Sequence, residues 1–319
     1  MRITLTGASG FVGRGLIAPL LERGHQITAA MRQQQPDLDA KVRQQRIDGL
    51  SAQQDWTPLL QGQDVVIHLA ARVHVMRDQS TDPLAEYRKV NVDGTLNLAR
   101  QAVEAGIKRF IFVSSIKVNG EGTSAGSPYT ADGLAAPIDP YGVSKMEAEQ
   151  ALRALAQKTG MEVVIIRPVL VYGPGVQANF LSMMNWLYKG VPMPFGAIHN
   201  RRSLVALENL TDLISTCCDH PAAANQVFLV SDGEDLSTSD LLRRMSNALG
   251  RPARLLPVPS WVLEKGTYLL GKQALAQRLC GSLQVDIKKT HELLNWTPPF
   301  SVDDALRKTA EYFLKWQTK

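Results

Sequence analysis

The feature that most constrains this chain is a glycine-rich segment close to its start. Residues 6–13 (TGASGFVG) follow a short β-branched run, residues 3–6, and lead into an apolar helical pattern, residues 12–23. Glycines at this spacing permit a tight turn, let the backbone approach a pyrophosphate and allow the helix to pack closely on the strand. The N-terminus of the helix then faces the negative charge. This strand–turn–helix context predicts a dinucleotide-binding loop.

The first half of the chain alternates between apolar runs and helical patterns. The predicted strands are residues 3–6, 26–30, 64–68, 109–114 and 162–167, and the predicted helices are residues 12–23, 82–106 and 139–159. Strands that are apolar at consecutive positions are typical of a parallel sheet covered on both faces. Their alternation with helices predicts βαβ units. We therefore expect an α/β fold with a Rossmann-type, doubly wound parallel sheet.

The second half of the chain is less regular. Its predicted helices are residues 180–189, 208–220, 239–249 and 301–316, and its predicted strands are residues 203–206, 227–230 and 254–256. We expect residues 1–168 to form the dinucleotide-binding domain. Residues 169–319 would form mainly a smaller C-terminal α/β substrate-binding lobe, with a return segment near residues 203–235 that completes the main sheet.

Composition narrows the classes of function. The chain has 319 residues, 45% of them hydrophobic, which is enough for a substantial core. Its net charge of +5 is spread along the sequence, without the basic stripe of a nucleic-acid binder, and favours a small anionic ligand. The three cysteines, Cys217, Cys218 and Cys280, lack disulfide-framework or metal-site spacing. We expect reduced thiols, no metal and a cytoplasmic protein.

The apolar runs of the sequence are too short to span a bilayer. The first residues lack the basic and apolar regions of a signal peptide, so none is expected. Residues 261–270 are apolar but contain Glu264 and Lys265. They predict a packed or surface amphipathic helix, which leaves peripheral contact with a membrane open.

Tyr141 and Lys145 lie four residues apart at the start of a predicted helix and so share one face. A tyrosine with its ordinary pKa near 10 is a poor base at neutral pH. A neighbouring lysine cation and a positive nicotinamide favour the phenolate, which can exchange a proton with a carbinol oxygen. Ser115 follows a central strand, at the edge where α/β sheets present their sites, and can bind the same oxygen. Ser114 is the alternative for that role.

The end of the second predicted strand bears on the choice of cofactor. An acid there would bind the adenosine ribose hydroxyls, whereas an arginine accommodates a 2′-phosphate. This chain has Met31 and Arg32. Arg32 favours NADP(H), with NAD(H) as the alternative if Arg32 is a solvated loop residue. Asp48 is a candidate for the adenine edge or, equally, for a loop cap.

Five motifs together resemble the extended short-chain dehydrogenase/reductase family. They are Gly7-x-x-Gly10-x-x-Gly13, Asn91-Val-Asp-Gly-Thr95, Val113-Ser-Ser115, Tyr141-x-x-x-Lys145 and Arg167-Pro-Val-Leu-Val-Tyr-Gly-Pro174. The resemblance covers essentially the whole chain and lies within the NAD-dependent epimerase/dehydratase group. The chain looks similar to UDP-glucose 4-epimerase-like proteins and to bacterial UDP-4-keto-6-deoxy-N-acetylhexosamine 4-reductases of polysaccharide synthesis.

This resemblance implies a set of site residues. Catalysis would fall to Ser115, Tyr141 and Lys145, and the lysine would also anchor the cofactor ribose. The implied cofactor-binding residues are Gly7, Ser9, Gly10, Phe11, Val12, Gly13, Arg32, Asp48, Leu69, Ala70, Ala71, Asn91, Lys145 and Pro168. The residues implied to contact the diphosphate or uridine of a UDP-sugar are Asn179, Arg202 and Arg278. The family also implies a homodimer through the helices predicted at residues 82–106 and 139–159.

Departures from the family pattern guide the choice of reaction. Ile116 and Lys117 follow Ser115 where dehydratases of the group carry an Asp-Glu pair, which argues against 4,6-dehydratase activity. Arg32 replaces the ribose-binding acid typical of 4-epimerases, which indicates NADPH used as a reductant. Asn119 stands where a tyrosine is usual, and the sequence assigns no consequence to it.

The sequence therefore predicts an NAD(P)-dependent oxidoreductase acting at C4 of a UDP-sugar. The leading hypothesis is reduction of a UDP-4-keto-6-deoxy-N-acetylhexosamine by NADPH, with Tyr141 as proton donor and Ser115 orienting the carbonyl. The alternative is a UDP-hexose or UDP-N-acetylhexosamine 4-epimerase with tightly bound NAD. A non-catalytic dinucleotide-binding protein is disfavoured because the serine, tyrosine and lysine are all present. Asn179 and Arg202 argue against a steroid or flavonoid oxidoreductase.

Overall fold

A computed structural model describes residues 1–73, 81–124, 126–269, 277 and 279–317. Its strands are β1 (Arg2–Thr6), β2 (Gln26–Met31), β3 (Arg43–Arg46), β4 (Val65–His68), β5 (Arg109–Val113), β6 (Glu162–Pro168), β7 (Leu170–Tyr172), β8 (Arg202–Ala206), β9 (Val227–Val230) and β10 (Asp235–Leu236). Seven of them form one sheet in the order β3-β2-β1-β4-β5-β6-β9, and all neighbours run parallel. The predicted doubly wound α/β fold is confirmed. The strand order reverses between β1 and β4, where such sheets bind ligands.

Helices connect these strands. They are α1 (Phe11–Glu22), α2 (Thr57–Leu60), α3 (Pro83–Arg88), α4 (Thr95–Glu104), α5 (Pro140–Thr159), α6 (Ala178–Tyr188), α7 (Leu207–Cys217), α8 (Thr238–Ala248), α9 (Ser260–Leu269), α10 (Lys288–Leu294) and α11 (Val302–Gln317). A π-helical turn, Lys89–Gly94, joins α3 to α4. Asp139 caps α5 by accepting a hydrogen bond from the Gly142 amide at 2.6 Å, and Gly160 ends it in the left-handed conformation. These are the cap chemistries that set helix boundaries.

A smaller sheet lies in the second half of the chain, in the order β10-β8-β7. Strands β7 and β8 run parallel, and β8 and β10 antiparallel. Buried side chains of this sheet and of α6, α8 and α11 form a second apolar cluster that includes Tyr172, Phe180, Leu242 and Phe313. The segment near residues 203–235 is divided between the sheets, because β8 belongs to the small sheet and β9 pairs with β6 in the main one.

Among the described residues, no helix combines the length and apolar character needed to cross a bilayer. The same part of the chain contains no cluster of three or more histidine, cysteine, aspartate or glutamate side chains arranged to bind a metal.

Candidate active site

The glycine loop between β1 and α1 has the shape of an anion cradle. Gly7 adopts a φ of +74°, and a Cβ there would lie 2.8 Å from the Ala70 amide nitrogen. A Cβ on Gly13 would lie 2.1 Å from the Gly7 carbonyl oxygen. Gly10 precedes α1 in an extended conformation, and no side-chain hydrogen bond caps this helix. The first amides of α1, at Phe11 and Val12, are therefore available to a phosphate.

A buried hydrogen-bond network fixes the backbone opposite this loop. The Ala70 amide donates to the Thr6 hydroxyl at 3.2 Å. Thr6 Oγ1 lies 2.7 Å from His68 Nδ1, and His68 Nε2 lies 3.0 Å from Thr95 Oγ1. Burial, and secondarily the charge of Lys145, lowers the pKa of His68 to about 3, so the imidazole is neutral. The network holds Leu69 and Ala70 beside Gly7, and no sequence pattern indicated it.

Asn91 lies beside the same backbone and acts as a brace. Its side-chain oxygen accepts from the Arg72 amide at 2.8 Å. Its Nδ2 donates to the Arg72 carbonyl and to the Ser144 hydroxyl, both at 3.0 Å. Since both amide hydrogens are used by protein groups, Asn91 supports the predicted cofactor site by tying the backbone of Arg72 to α5.

Tyr141, Ser115 and Lys145 come together where β5 meets α5. The hydroxyl of Ser115 lies near the phenol of Tyr141. Burial, and then the negative Asp139, raises the pKa of Tyr141 to about 12, and the Ser115 contact opposes this. The buried hydroxyl of Ser114 has no hydrogen-bond partner among the described residues. Ser115 rather than Ser114 therefore stays the predicted partner of the tyrosine.

Lys145 is fully buried beneath this pair. Its Nζ donates to the Val113 carbonyl at 3.0 Å and lies 4.4 Å from the centroid of the Phe112 ring. Burial lowers the pKa of Lys145 to about 7, while the carboxylate of Glu149 opposes the shift. The lysine is thus held where small changes of local charge alter its protonation.

Asn119 accepts a hydrogen bond from Arg167, which forms a buried ion pair with Glu149. Arg167 donates to both carboxylate oxygens of Glu149 at 2.9 and 2.5 Å, and to the Asn119 side-chain oxygen at 2.9 Å. Asn119 in turn donates to the Thr130 carbonyl at 3.1 Å. One guanidinium therefore joins α5, the end of β6 and the loop after Ser115. A glutamate one helical turn after Lys145 was the available sequence signal.

Lys117 lies in the 3-10 turn that follows Ser115 (Ile116–Val118). It forms an ion pair with Asp139, the residue that caps α5, and another with Glu121 at 3.3 Å. Its ammonium therefore compensates the carboxylate next to Tyr141.

The residues predicted for the adenosine end of the cofactor site lie at the surface of the protein. Arg32 and Asp48 are both exposed, beyond β2 and β3 respectively. The backbone amide of Asp48 donates to the Gln54 side chain at 3.0 Å. The Arg14 guanidinium donates to the Ser9 carbonyl at 3.1 Å and to the Asp37 carboxylate at 2.6 Å. Arg14 thus ties the glycine loop to the segment after β2, a link that the sequence did not indicate.

The predicted substrate residues are spread over the second half of the chain. Asn179 is exposed in the first turn of α6. Arg202 begins β8, and its Nη1 donates to the Gly281 carbonyl at 3.0 Å; burial lowers its pKa. Pro168 ends β6, where it pairs in register with Val230. Arg278 lies outside the described residues.

The parallel sheet, the glycine cradle and the Ser–Tyr–Lys cluster define a dinucleotide-binding protein of the short-chain dehydrogenase/reductase class. The model of the NAD dependent epimerase/dehydratase family matches residues 3–231. The chain therefore belongs to the NAD dependent epimerase/dehydratase family, as its motifs predicted.

Comparisons with individual proteins agree with this assignment. A UDP-glucose 4-epimerase of Vibrio cholerae is 50% identical over 315 residues, which cover 98% of this chain and 95% of that protein. The crystal structure of UDP-glucuronic acid 4-epimerase from Bacillus cereus with NAD has a TM-score of 0.78 at 22% identity, covering 99% of this chain and 97% of that one. UDP-glucose 4-epimerase from Thermotoga maritima with UDP-glucose has a TM-score of 0.75 at 22% identity, covering 99% and 100%. Both structures have the same fold as this chain.

Proposed function

We propose that this protein is a UDP-sugar 4-epimerase that uses NAD. The observation that carries the proposal is the 50% identity, over 98% of this chain, to a UDP-glucose 4-epimerase. The cluster of Ser115, Tyr141 and Lys145 supports it, because inversion at C4 requires proton exchange with the C4 hydroxyl. Of the two reactions that the sequence left open, the epimerase is thus better supported than the reductase.

The glycine loop suits a dinucleotide because it makes a tight turn that only glycine allows. A methyl group at Gly7 would clash with the backbone of Ala70, and one at Gly13 would clash with the carbonyl of Gly7. The chemistry that bound NAD would supply is reversible hydride transfer at C4 of the sugar. Phe11 and Val12 would offer backbone amides to the pyrophosphate.

The protein's own residues would manage the proton. Tyr141 would accept the proton of the C4 hydroxyl and give it back after the keto sugar has turned. Ser115 would donate a hydrogen bond to the same oxygen and hold it in line. Burial raises the pKa of Tyr141, and the positive charge of a nicotinamide nearby would lower it again and favour the phenolate.

A second candidate function is 4-reduction of a UDP-4-keto-6-deoxy-N-acetylhexosamine by NADPH. The observation that favours it is Arg32, an exposed arginine after β2 where a ribose-binding acid is otherwise expected. The same serine, tyrosine and lysine would serve, with Tyr141 donating its proton once. Homodimerisation through α3–α4 and α5 stays a prediction.

The test is to incubate the purified protein with UDP-glucose or UDP-N-acetylglucosamine, without added reductant, and to follow the 4-epimers by chromatography. Interconversion would support the epimerase. Stoichiometric consumption of NADPH with a UDP-4-keto-6-deoxy-N-acetylhexosamine, and no interconversion, would support the reductase instead.

The catalytic assignment has its own variant. Tyr141→Phe should lower kcat by about 10²–10⁴-fold, the usual contribution of a general acid–base group, while NAD binding persists. Tyr312→Phe, an exposed tyrosine on α11, is the control and should keep full activity. Unchanged turnover in Tyr141→Phe would refute the assigned role.

A further inference from the structure

Helix α9 exposes aromatic side chains to solvent. Trp261 is 59% exposed and Tyr268 is 67% exposed. These residues and Lys265 are spaced at i, i+4 and i+7, which places all three on one face of the helix. The ammonium of Lys265 lies 5.4 Å from the centroid of the Trp261 ring. Two amphipathic rings with a cation between them are typical of helices that lie in the interface of a bilayer.

Two neighbouring segments lead to this helix. The Met193 amide donates to the Arg254 carbonyl at 2.9 Å, and the Leu256 amide donates to the Met193 carbonyl at 2.8 Å. Leu256 is 52% exposed, and Val191, beside Met193, is also exposed. A bridge between residues 197 and 259 brings the first segment to the start of α9. We call residues 186–199 and 250–269 the α9 surface.

The α9 surface is strongly basic. It contains Lys189, Arg251, Arg254 and Lys265, whereas Glu264 is its one acidic residue in the sequence. Four basic side chains less one acidic side chain give a charge of +3, out of +5 for the whole chain. The two segments of the α9 surface therefore combine a charge of +3 with exposed tryptophan, tyrosine, leucine and valine side chains.

We propose that the α9 surface docks on an anionic phospholipid bilayer. Basic residues next to a bilayer are attracted by its negative surface potential. Tryptophan and tyrosine place their apolar rings among the acyl chains and their polar edges at the headgroups. The ten described residues of the helix are too few to span the membrane, and the proposed contact is peripheral and reversible.

Flotation of the full-length protein with lipid vesicles tests the proposal. Vesicles of phosphatidylglycerol and phosphatidylcholine in equal parts should carry the protein upward at low salt, and phosphatidylcholine alone should carry much less. Lys265→Glu changes the charge by two units, and each unit near the surface changes binding by roughly fivefold. The substitution should therefore lower the vesicle partition coefficient about thirtyfold. Trp261→Ser should reduce it about tenfold, from the lost apolar burial.

Matched controls lie elsewhere on the chain. Trp316→Ser replaces a tryptophan of α11 that is 65% exposed, and Lys158→Glu reverses an exposed charge near the end of α5. Both should float like the wild type. The proposal is overturned if the protein ignores anionic vesicles, or if the α9 variants bind as well as these controls. It is also overturned if Trp261→Ser instead converts a dimer to a monomer in light scattering, since the surface then joins two copies.

Discussion

Neutralising Glu149 should destabilise the protein through the buried cation that it leaves behind. The side chains of Arg167 and Glu149 are only 5% and 3% exposed, and their closest atoms are 2.5 Å apart. Glu149→Gln keeps the shape of the side chain but removes its charge. Breaking a buried ion pair in this way costs about 3–5 kcal/mol of unfolding free energy, because the remaining charge is uncompensated.

The lost unfolding free energy corresponds to a lower melting temperature. With 319 residues and an unfolding entropy of about 2.1 cal/mol/K per residue, the loss corresponds to a decrease of roughly 4–8 °C. Differential scanning calorimetry would measure it. Glu147→Gln is the control on the same helix: its partner Arg88 has a side chain 46% exposed, and surface pairs contribute at most about 1 kcal/mol. Glu147→Gln should therefore melt within about 2 °C of the wild type.

The double variant Glu149→Gln, Arg167→Met decides the cause. Removing the stranded cation should recover most of the lost melting temperature, as replacing a whole buried pair is often close to neutral. If the double variant melts as low as Glu149→Gln alone, or if Glu147→Gln and Glu149→Gln shift equally, the unpaired cation is not the origin of the loss.

Two further predictions concern the glycine loop and the buried lysine. Gly7→Ala should weaken NAD binding tenfold or more in calorimetric titration, because its Cβ would meet the Ala70 amide at 2.8 Å. Gly24→Ala, with a similar φ but open space around it, should only lose about 1–2 kcal/mol of stability; equal effects on NAD binding would contradict the steric argument. Burial lowers the pKa of Lys145 from 10.5 to about 7. Between pH 7 and pH 10.5 this lysine therefore binds more protons in the unfolded chain than in the folded one, and the free energy of unfolding rises with pH. In urea unfolding, the stability of the wild type relative to Lys145→Met should increase by about 1 kcal/mol per pH unit across that window, and parallel pH profiles would contradict it.

Much of the main sheet follows from local sequence. Six of its seven strands were predicted within about one residue of their observed ends, because each is an apolar run bounded by turn or cap residues. Strand β3 was missed: its sequence, RQQR, has no apolar residue, and its position at the sheet edge requires none. The predicted strand at residues 254–256 forms only an isolated bridge with Met193. The π-helical turn was also missed, since nothing in its local composition distinguishes it from the helix around it.

The candidate site was predictable where its residues are close in sequence. Tyr141 and Lys145 share a helix face by spacing alone, and Ser115 follows from the end of a strand. The supporting contacts were not predictable, because they join distant residues: Thr6 and His68 are 62 residues apart, and Asn119 and Arg167 are 48 apart. Such pairs depend on the register of neighbouring strands and on helix docking, which no single window of sequence contains.

The buried contacts of Thr6 have a directional consequence. Its hydroxyl accepts from the Ala70 amide, so its single proton is free to point at His68 Nδ1. When that ring nitrogen accepts the proton of Thr6, the ring proton sits on Nε2, facing Thr95. The hydrogens then all point the same way, from the backbone beside the glycine loop towards α4. With the ring proton on Nδ1 instead, the two lone pairs of Thr6 Oγ1 would accept from His68 and from Ala70, and the Thr6 proton would turn to another acceptor. The tautomer of His68, a residue remote from the chemistry, thus sets the direction of the hydrogen bonds beside Ala70.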